Sequence, residues 1–242
     1  MAKKVIPYKD SDLGKKAQVT QMFDTISGSY DGLNRVISFG IDIKWRKRVV
    51  NIVKASRPES VLDIATGTGD LAINLVESGA KSIIGLDISP GMLEVGKKKV
   101  AQKKLDPIID MVVGDSENLP FSDQSFDAVT VAFGVRNFEN LEKGLSEIYR
   151  VLATGGTFVV LETSVPTQTP FKQGYSLYTK YILPMIGKLF SKDRSAYAYL
   201  SESASVFPHG EAFNNILRKI GFIEVENKPQ TLGVASIYVA KK

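Results

Sequence analysis

The stretch Ser60–Leu71, SVLDIATGTGDL, constrains this chain more than any other. Val61, Leu62 and Ile64 make a short strand of buried type. Gly67 and Gly69 make a tight turn, and a helix starts at Asp70. Asp87 stands twenty residues after Gly67, at the end of a second apolar run, SIIGLDIS. Strand, glycine turn, helix and strand-end acid together read as a nucleotide-binding βαβ unit, with Asp87 placed for the two hydroxyls of a ribose. Glycine lets the backbone pass close to a bound cofactor where a Cβ would clash. The turn leaves the chemistry open, since Gly67-x-Gly69-x-x-Ala72 also fits the dinucleotide fingerprint.

Strands and helices alternate around this unit. The pattern predicts strands at 60–64, 82–87, 108–114, 126–133 and 157–161. Helices are predicted at 70–78, 90–104 and 141–152, the last ended by Gly155-Gly156. A further helix over 209–220 stops at Gly221, and strands at 222–227 and 235–240 read as a closing antiparallel edge pair. Connections of this length predict an α/β fold with a doubly wound, mostly parallel seven-stranded sheet. Residues 17–53 add N-terminal helices, interrupted at 27–32 and 38–40. Residues 1–16 read as a mobile basic arm ahead of a single domain over 17–242.

Residues 165–210 break the rhythm. Apolar groups at 171, 175, 178, 182, 186 and 189 have near-helical spacing, with Pro184 as a kink. The stripe suits core packing. It also suits an inserted helical cap over the site, offering surface to a greasy substrate.

The chain has 242 residues and no cysteine, which excludes disulfides, thiolate catalysis and cysteine-ligated metals. With one histidine and scattered carboxylates, no metal site is expected. No GxxxxGK[ST] or GxSxG motif is present. The N-terminus lacks a secretory apolar core, and no run approaches the roughly 18 apolar residues of a membrane span. A cytoplasmic protein is expected. Net charge is +5; residues 1–50 hold ten Lys or Arg against five Asp, leaving 21 of each sign elsewhere. Such an arm suits solvent, or peripheral contact with an anionic membrane at its inner face.

Open parallel sheets bind ligands at the carboxyl ends of their strands. Polar groups collect there: Asp63 and the 66–69 turn, Asp87, Asp115 with Ser116, Arg136 with Asn137, and Glu162 to Ser164. Each has a plainer reading as a turn cap or surface ion pair. Five strand ends together favour a site. His209 reads as a helix-start residue.

These motifs resemble a class I S-adenosylmethionine-dependent methyltransferase, and two segments resemble the quinone-biosynthesis C-methyltransferases of the ubiquinone and menaquinone pathways. In YDGLNRVISFGIDIKW, Tyr30, Asp31, Asn34, Ser38 and Trp45 match, while Leu33 stands where Met is usual and Asp42 where His is usual. In RVLATGGTFVVLETS, Arg150, Val151, Gly155, Gly156, Glu162 and Ser164 match. A Gly-x-Arg-Asn segment, Gly134 to Asn137, lies between them. The resemblance spans about residues 17–240.

By position, the family's cofactor contacts fall on Thr68, Asp87, Asp115 and Ser116, and a further family serine falls on Ala132. Asp63, Gly67 and Gly69 complete the expected S-adenosylmethionine site. The resemblance implies methylation of a ring carbon of a prenylated quinol, demethylmenaquinol first and a 2-methoxy-6-polyprenyl-benzoquinol as the alternative. Tyr30, Asp31, Asn34, Arg136 and Asn137 are the candidates for the ring pocket. The proton acceptor stays open among Asp31, Tyr30, Glu162, His209 and water. The expected partners are the quinol, an anionic membrane surface and a second copy of the chain. Two other readings are a nicotinamide-dependent dehydrogenase and a nucleic-acid-binding module on the same fold.

Overall fold

Strand alternation sets the architecture. In β1, Ser60–Ile64, the side chains of Leu62 and Ile64 enter one buried cluster while Val61 enters another. Phe158 and Val160 of β5, Leu152–Thr163, join the first cluster, and Val159 and Leu161 the second. A period of two with both faces apolar demands cover on both sides. The computed structural model, which describes residues 5–182 and 194–242, shows that cover.

The sheet has seven strands in the order β3-β2-β1-β4-β5-β7-β6. β2 is Ser82–Asp87, β3 Ile109–Val113, β4 Phe126–Ala132, β6 Ile223–Gln230 and β7 Ala235–Lys241. The first five run parallel, and β7 lies antiparallel between β5 and β6. On one face pack α3 (Ile41–Ala55), α4 (Asp70–Leu75) and α5 (Pro90–Gln102). On the other pack α6 (Leu141–Val151) and α9 (Glu211–Ile220). Local chemistry starts these helices. Ser89 Oγ accepts the Met92 N–H at 3.2 Å with Pro90 at the first helical position, and Asn140 Oδ1 accepts the Lys143 N–H at 3.1 Å.

Three expectations change. Gly155-Gly156 does not stop α6. The helix ends at Val151 and β5 begins at Leu152. The glycine pair sits in a bulge, where pairing with β4 passes from Phe126–Leu152 to Ala128–Thr157. The interruption expected over 27–32 is narrower: α1 is Lys15–Ile26, a 3₁₀ turn covers Ser27–Ser29, and α2 is Tyr30–Ser38, with Gly32 inside it. The expected basic arm is not free over residues 5–14 and gives way to α1 at Lys15. Val5 is buried with Val19 and Met22 of α1, and Gln18 Oε1 accepts the Tyr8 N–H at 2.9 Å.

Between β5 and α9 lie α7 (Phe171–Leu177), a wide turn over Tyr178–Ile182, and α8 (Arg194–Val206). Ala196 and Tyr199 of α8 pack with α1 and Met92 in a third cluster, so this cap and the N-terminal helix form one layer over the strand ends. Pro184 and the apolar positions 186 and 189 lie outside the described residues.

Candidate active site

Two cavities open at the carboxyl ends of the strands, and they share a wall made by Tyr30 and Phe133. The first, of about 670 Å³, is lined by Gly67, Asp87, Asp115, Ser116 and Ala132, with Val19 and Phe23 of α1 across from them. The second, of about 980 Å³, is walled by aromatic and apolar groups including Trp45, Tyr175, Tyr178 and Leu200, with Asn34 and Arg136 among its polar lining.

Asp87 is the electrostatic centre of the first cavity. Its Oδ2 accepts the Gly67 N–H at 2.7 Å and its Oδ1 the Ser89 N–H at 2.9 Å. Gly67 holds φ at +58°, a conformation that favours glycine, and this aims its N–H at the carboxylate. Burial pushes the Asp87 carboxyl up to about 6, against the pull of those backbone donors. An ionised carboxylate only accepts hydrogen bonds, so the group suits a pair of ligand hydroxyls. Asp115 and Ser116 follow β3. Asp115 Oδ1 accepts the Glu117 N–H at 2.9 Å, and its Oδ2 pairs with Lys16 Nζ at 2.7 Å. Lys15 Nζ donates to the carbonyls of Arg136 (3.2 Å) and Phe138 (2.7 Å). Two adjacent lysines thus pin α1 across the mouth of the first cavity.

Of the expected cofactor residues, Gly67, Asp87, Asp115 and Ser116 line this cavity and three do not. Asp63 points inward. Thr66 Oγ1 and Thr130 Oγ1 each donate to it at 2.6 Å, and burial raises its carboxyl to about 6. Strand alternation explains this: Asp63 shares the face of Val61, beneath α3 and α4. Gly69 starts α4 and packs toward Met111. Thr68 is buried, and its hydroxyl is taken by Asp31.

The expected ring-pocket residues divide by helix phase. Tyr30 and Asn34, four apart on α2, share a face and line the second cavity. Asp31, about 100° further round the helix, lies outside both cavities and pairs with Lys99 Nζ at 2.9 Å. Arg136 and Asn137 separate for the same reason. They occupy a 3₁₀ turn, Val135–Asn137, where successive side chains stand about 120° apart. Arg136 faces the second cavity, while Asn137 lines the first and accepts the Tyr199 hydroxyl at 3.1 Å.

Arg136 is buried and pairs with the fully buried Glu162, which also accepts the Thr163 N–H at 2.7 Å. Arg136 Nε and Glu162 Oε2 have no hydrogen-bond partner. Both atoms are shut off from solvent, and the rest of the pair is satisfied by the ion pair and by backbone groups. Burial also raises the Tyr30 phenol, opposed by Asn34 and by the charges of Arg136 and Arg46. His209 lies apart, beside Gly210 and Asn227 around a separate hollow.

Sequence reasoning missed Phe133 and Lys16, and it read Tyr175 and Tyr178 only as members of the apolar stripe of the cap. Phe133 takes a left-handed φ of +58° after β4, and no local motif announces that. The other three needed the fold of the cap and of α1. Among the described residues no cluster of His, Cys, Asp or Glu could hold a metal ion.

The model of the ubiE/COQ5 methyltransferase family matches residues 11–242. The chain is 47% identical to a demethylmenaquinone methyltransferase of Bacteroides fragilis, over 99% of this chain and 98% of that one. It is 44% identical to a ubiquinone/menaquinone biosynthesis C-methyltransferase of Geotalea daltonii, over 97% and 100%. In fold it is similar to a SAM-dependent methyltransferase from Aquifex aeolicus (TM-score 0.54, 15% identity, 75% of this chain and 81% of that one). It is likewise similar to a Haemonchus contortus phosphoethanolamine N-methyltransferase solved with S-adenosyl-L-methionine (TM-score 0.56, 19% identity, 76% and 48%).

Proposed function

Because the chain belongs to the ubiE/COQ5 methyltransferase family, we propose that it methylates a ring carbon of a prenylated quinol, demethylmenaquinol, using S-adenosylmethionine. The observation that carries this reading is the pair of cavities meeting at Tyr30 and Phe133, one holding the buried Asp87 carboxylate and one walled largely by aromatic and apolar groups. The family match over residues 11–242 sets aside the dehydrogenase and nucleic-acid readings.

S-adenosylmethionine supplies a methyl group on a sulfonium, open to in-line displacement. Asp87 would hold its ribose hydroxyls, Gly67 would let the backbone approach, and Asp115 with Ser116 would address the adenine end. α1, held by Lys15 and Lys16, closes the first cavity and excludes water.

In the second cavity a quinol ring supplies its own nucleophile. Loss of a ring-hydroxyl proton moves electron density onto the adjacent carbon, which forms the new C–C bond and then sheds its hydrogen. Arg136, whose guanidinium is among the polar lining of this cavity, would meet the developing phenolate. Tyr30 and Asn34 would fix the ring plane at the shared wall. Orientation of this kind supplies roughly 7–11 kcal/mol of barrier reduction in well-aligned reactions.

A prenylated acceptor partitions into lipid, and no helix among the described residues is long and apolar enough to cross a membrane. Peripheral, reversible association with an anionic bilayer follows from the reading. The test is methylation by the purified protein with labelled S-adenosylmethionine and short-tailed demethylmenaquinol or benzoquinol analogues. Label on a naphthoquinol ring carbon is expected. Label on an oxygen, an RNA or a protein, and never on a quinol carbon, would overturn the assignment.

A further inference from the structure

Several large apolar side chains exposed to solvent stand close in sequence to groups lining the second cavity, while Leu13, Val113 and Ile223 are exposed elsewhere. Phe39 is 75% exposed, Leu232 61%, Leu177 and Tyr181 59% each, and Ile43 47%. They come from three separate stretches of chain. Each stands within two residues of a group lining the second cavity: Ser38, Asp42, Tyr178, Thr179 and Val234. Tertiary contacts join these stretches. The Tyr178 hydroxyl donates to the Ile37 carbonyl at 2.7 Å, the Phe39 and Tyr178 rings lie 6.3 Å apart, and Trp45 Nε1 donates to Thr231 Oγ1 at 2.9 Å. These contacts bring the three stretches together beside the second cavity. Phe39 and Leu232 are also held at left-handed φ, +51° and +59°. That conformation is costly for a side chain with a Cβ, and neither residue recovers it by burial.

The stretches that carry these side chains hold exposed lysines. Lys44 and Lys47 are exposed beside Ile43 on α3, and Lys172 and Lys180 are exposed along 171–182. Lys180 Nζ sits 5.3 Å from the Tyr181 ring centroid. The carboxylate of this stretch of α3, Asp42, is buried against Arg46. By contrast, Lys15 and Lys16 of the basic N-terminal region are engaged inward.

We propose that this rim of Phe39, Ile43, Leu177, Tyr181 and Leu232, with its lysines, docks on an anionic lipid bilayer and sets the mouth of the acceptor cavity on the membrane. Aromatic and aliphatic tips enter the interface, lysines meet lipid phosphates, and a prenylated ring passes from bilayer to cavity without crossing water. The proposal rests on the prenylated-quinol reading of that cavity and moves the membrane contact from the N-terminal arm to the cavity mouth.

Vesicle sedimentation of the full chain tests it, with phosphatidylcholine vesicles with and without phosphatidylglycerol, beside methylation of a tail-less quinol in solution. The wild type should sediment with the anionic vesicles. Phe39→Asp/Leu232→Asp and Lys44→Glu/Lys47→Glu should each cut the bound fraction at least fivefold and keep tail-less turnover within twofold. Lys3→Gln/Lys4→Gln/Lys9→Gln should bind as the wild type does. Binding lost in the arm variant but kept in the rim variants would overturn the proposal. So would rim variants that change oligomeric state by light scattering and leave vesicle binding intact, since the occupant would then be a second copy. A wild type that methylates the tail-less quinol yet ignores anionic vesicles sinks the docking surface alone. Vesicle binding through the rim with no quinol methylated sinks the function and leaves the surface standing.

Discussion

Thr68 Oγ1 donates to Asp31 Oδ1 at 2.5 Å, joining the turn after β1 to the helix that carries Tyr30 and Asn34. Lys99 of α5 completes the node, donating to Asp31 Oδ2 at 2.9 Å and to Thr68 Oγ1 at 3.3 Å, and pairing with Asp70. The turn after β1 and the helix α2 are thus held by one cluster of polar groups. None of Asp31, Thr68 and Lys99 lines a cavity.

These three should therefore act as positioning residues. Lys99→Met is expected to lower kcat/KM for the quinol about tenfold, equivalent to about 1.4 kcal/mol, mostly through kcat. Lys99→Arg should recover most of the loss. Steady-state kinetics with calorimetric cofactor titration checks this. Wild-type turnover in Lys99→Met would show that the node is only structural.

Asp87→Ala should weaken S-adenosylmethionine binding at least tenfold, since a charge-assisted hydrogen-bond pair is worth on the order of 1.5–3 kcal/mol. The pH dependence follows from a carboxyl pushed up to about 6. A raised carboxyl takes up its proton in the folded chain first. Its contribution to stability therefore declines as pH rises from the ordinary carboxylate range through about 6. Binding runs the other way, because the ionised group accepts the hydroxyls. Affinity should fall about tenfold from pH 7 to pH 5. Calorimetry should find this slope missing in Asp87→Asn and retained in Asp63→Asn, whose carboxyl lines no cavity.

Arg136→Ala should fail on two counts. It removes the charge facing the ring oxygen, and it strands the fully buried Glu162. Breaking one half of a buried pair costs about 3–5 kcal/mol. Denaturant unfolding should show that loss. Arg136→Lys, which keeps the charge, should remain folded and show turnover reduced at least tenfold with cofactor affinity nearly intact. Turnover unchanged in Arg136→Lys would remove the guanidinium geometry from the mechanism.

Lys15→Ala/Lys16→Ala should release α1 from the strand ends. The lost ion pair is partly exposed and worth at most about 1 kcal/mol of stability, so the melting temperature should barely move. Cofactor dissociation measured by stopped flow should speed up several-fold. The salt dependence of that rate should flatten, since salt screens the pair in the wild type.

Much of the fold was legible in the sequence because it rests on local periodicity. Two-residue alternation in β1 and β5, the Gly67–Gly69 turn and the Ser89-Pro90 helix start each follow from backbone sterics and nearest neighbours. The same physics placed polar groups at five strand ends. Gly155-Gly156 was misread because a glycine pair is equally at home in a helix stop and in a bulge. Only pairing with β4 chooses between them.

The chain's own order of residues determined the parallel sheet, the glycine turn and the acid at the end of β2. The tertiary structure alone decided which chamber each candidate faces. Asp31 and Tyr30 are neighbours, as are Arg136 and Asn137, yet a rotation of 100° or 120° per residue sends each pair to different surroundings. Which side of a turn becomes a cavity is set by what packs opposite it. Here those elements are α1, the cap and Lys99, drawn from regions of the chain far apart in sequence.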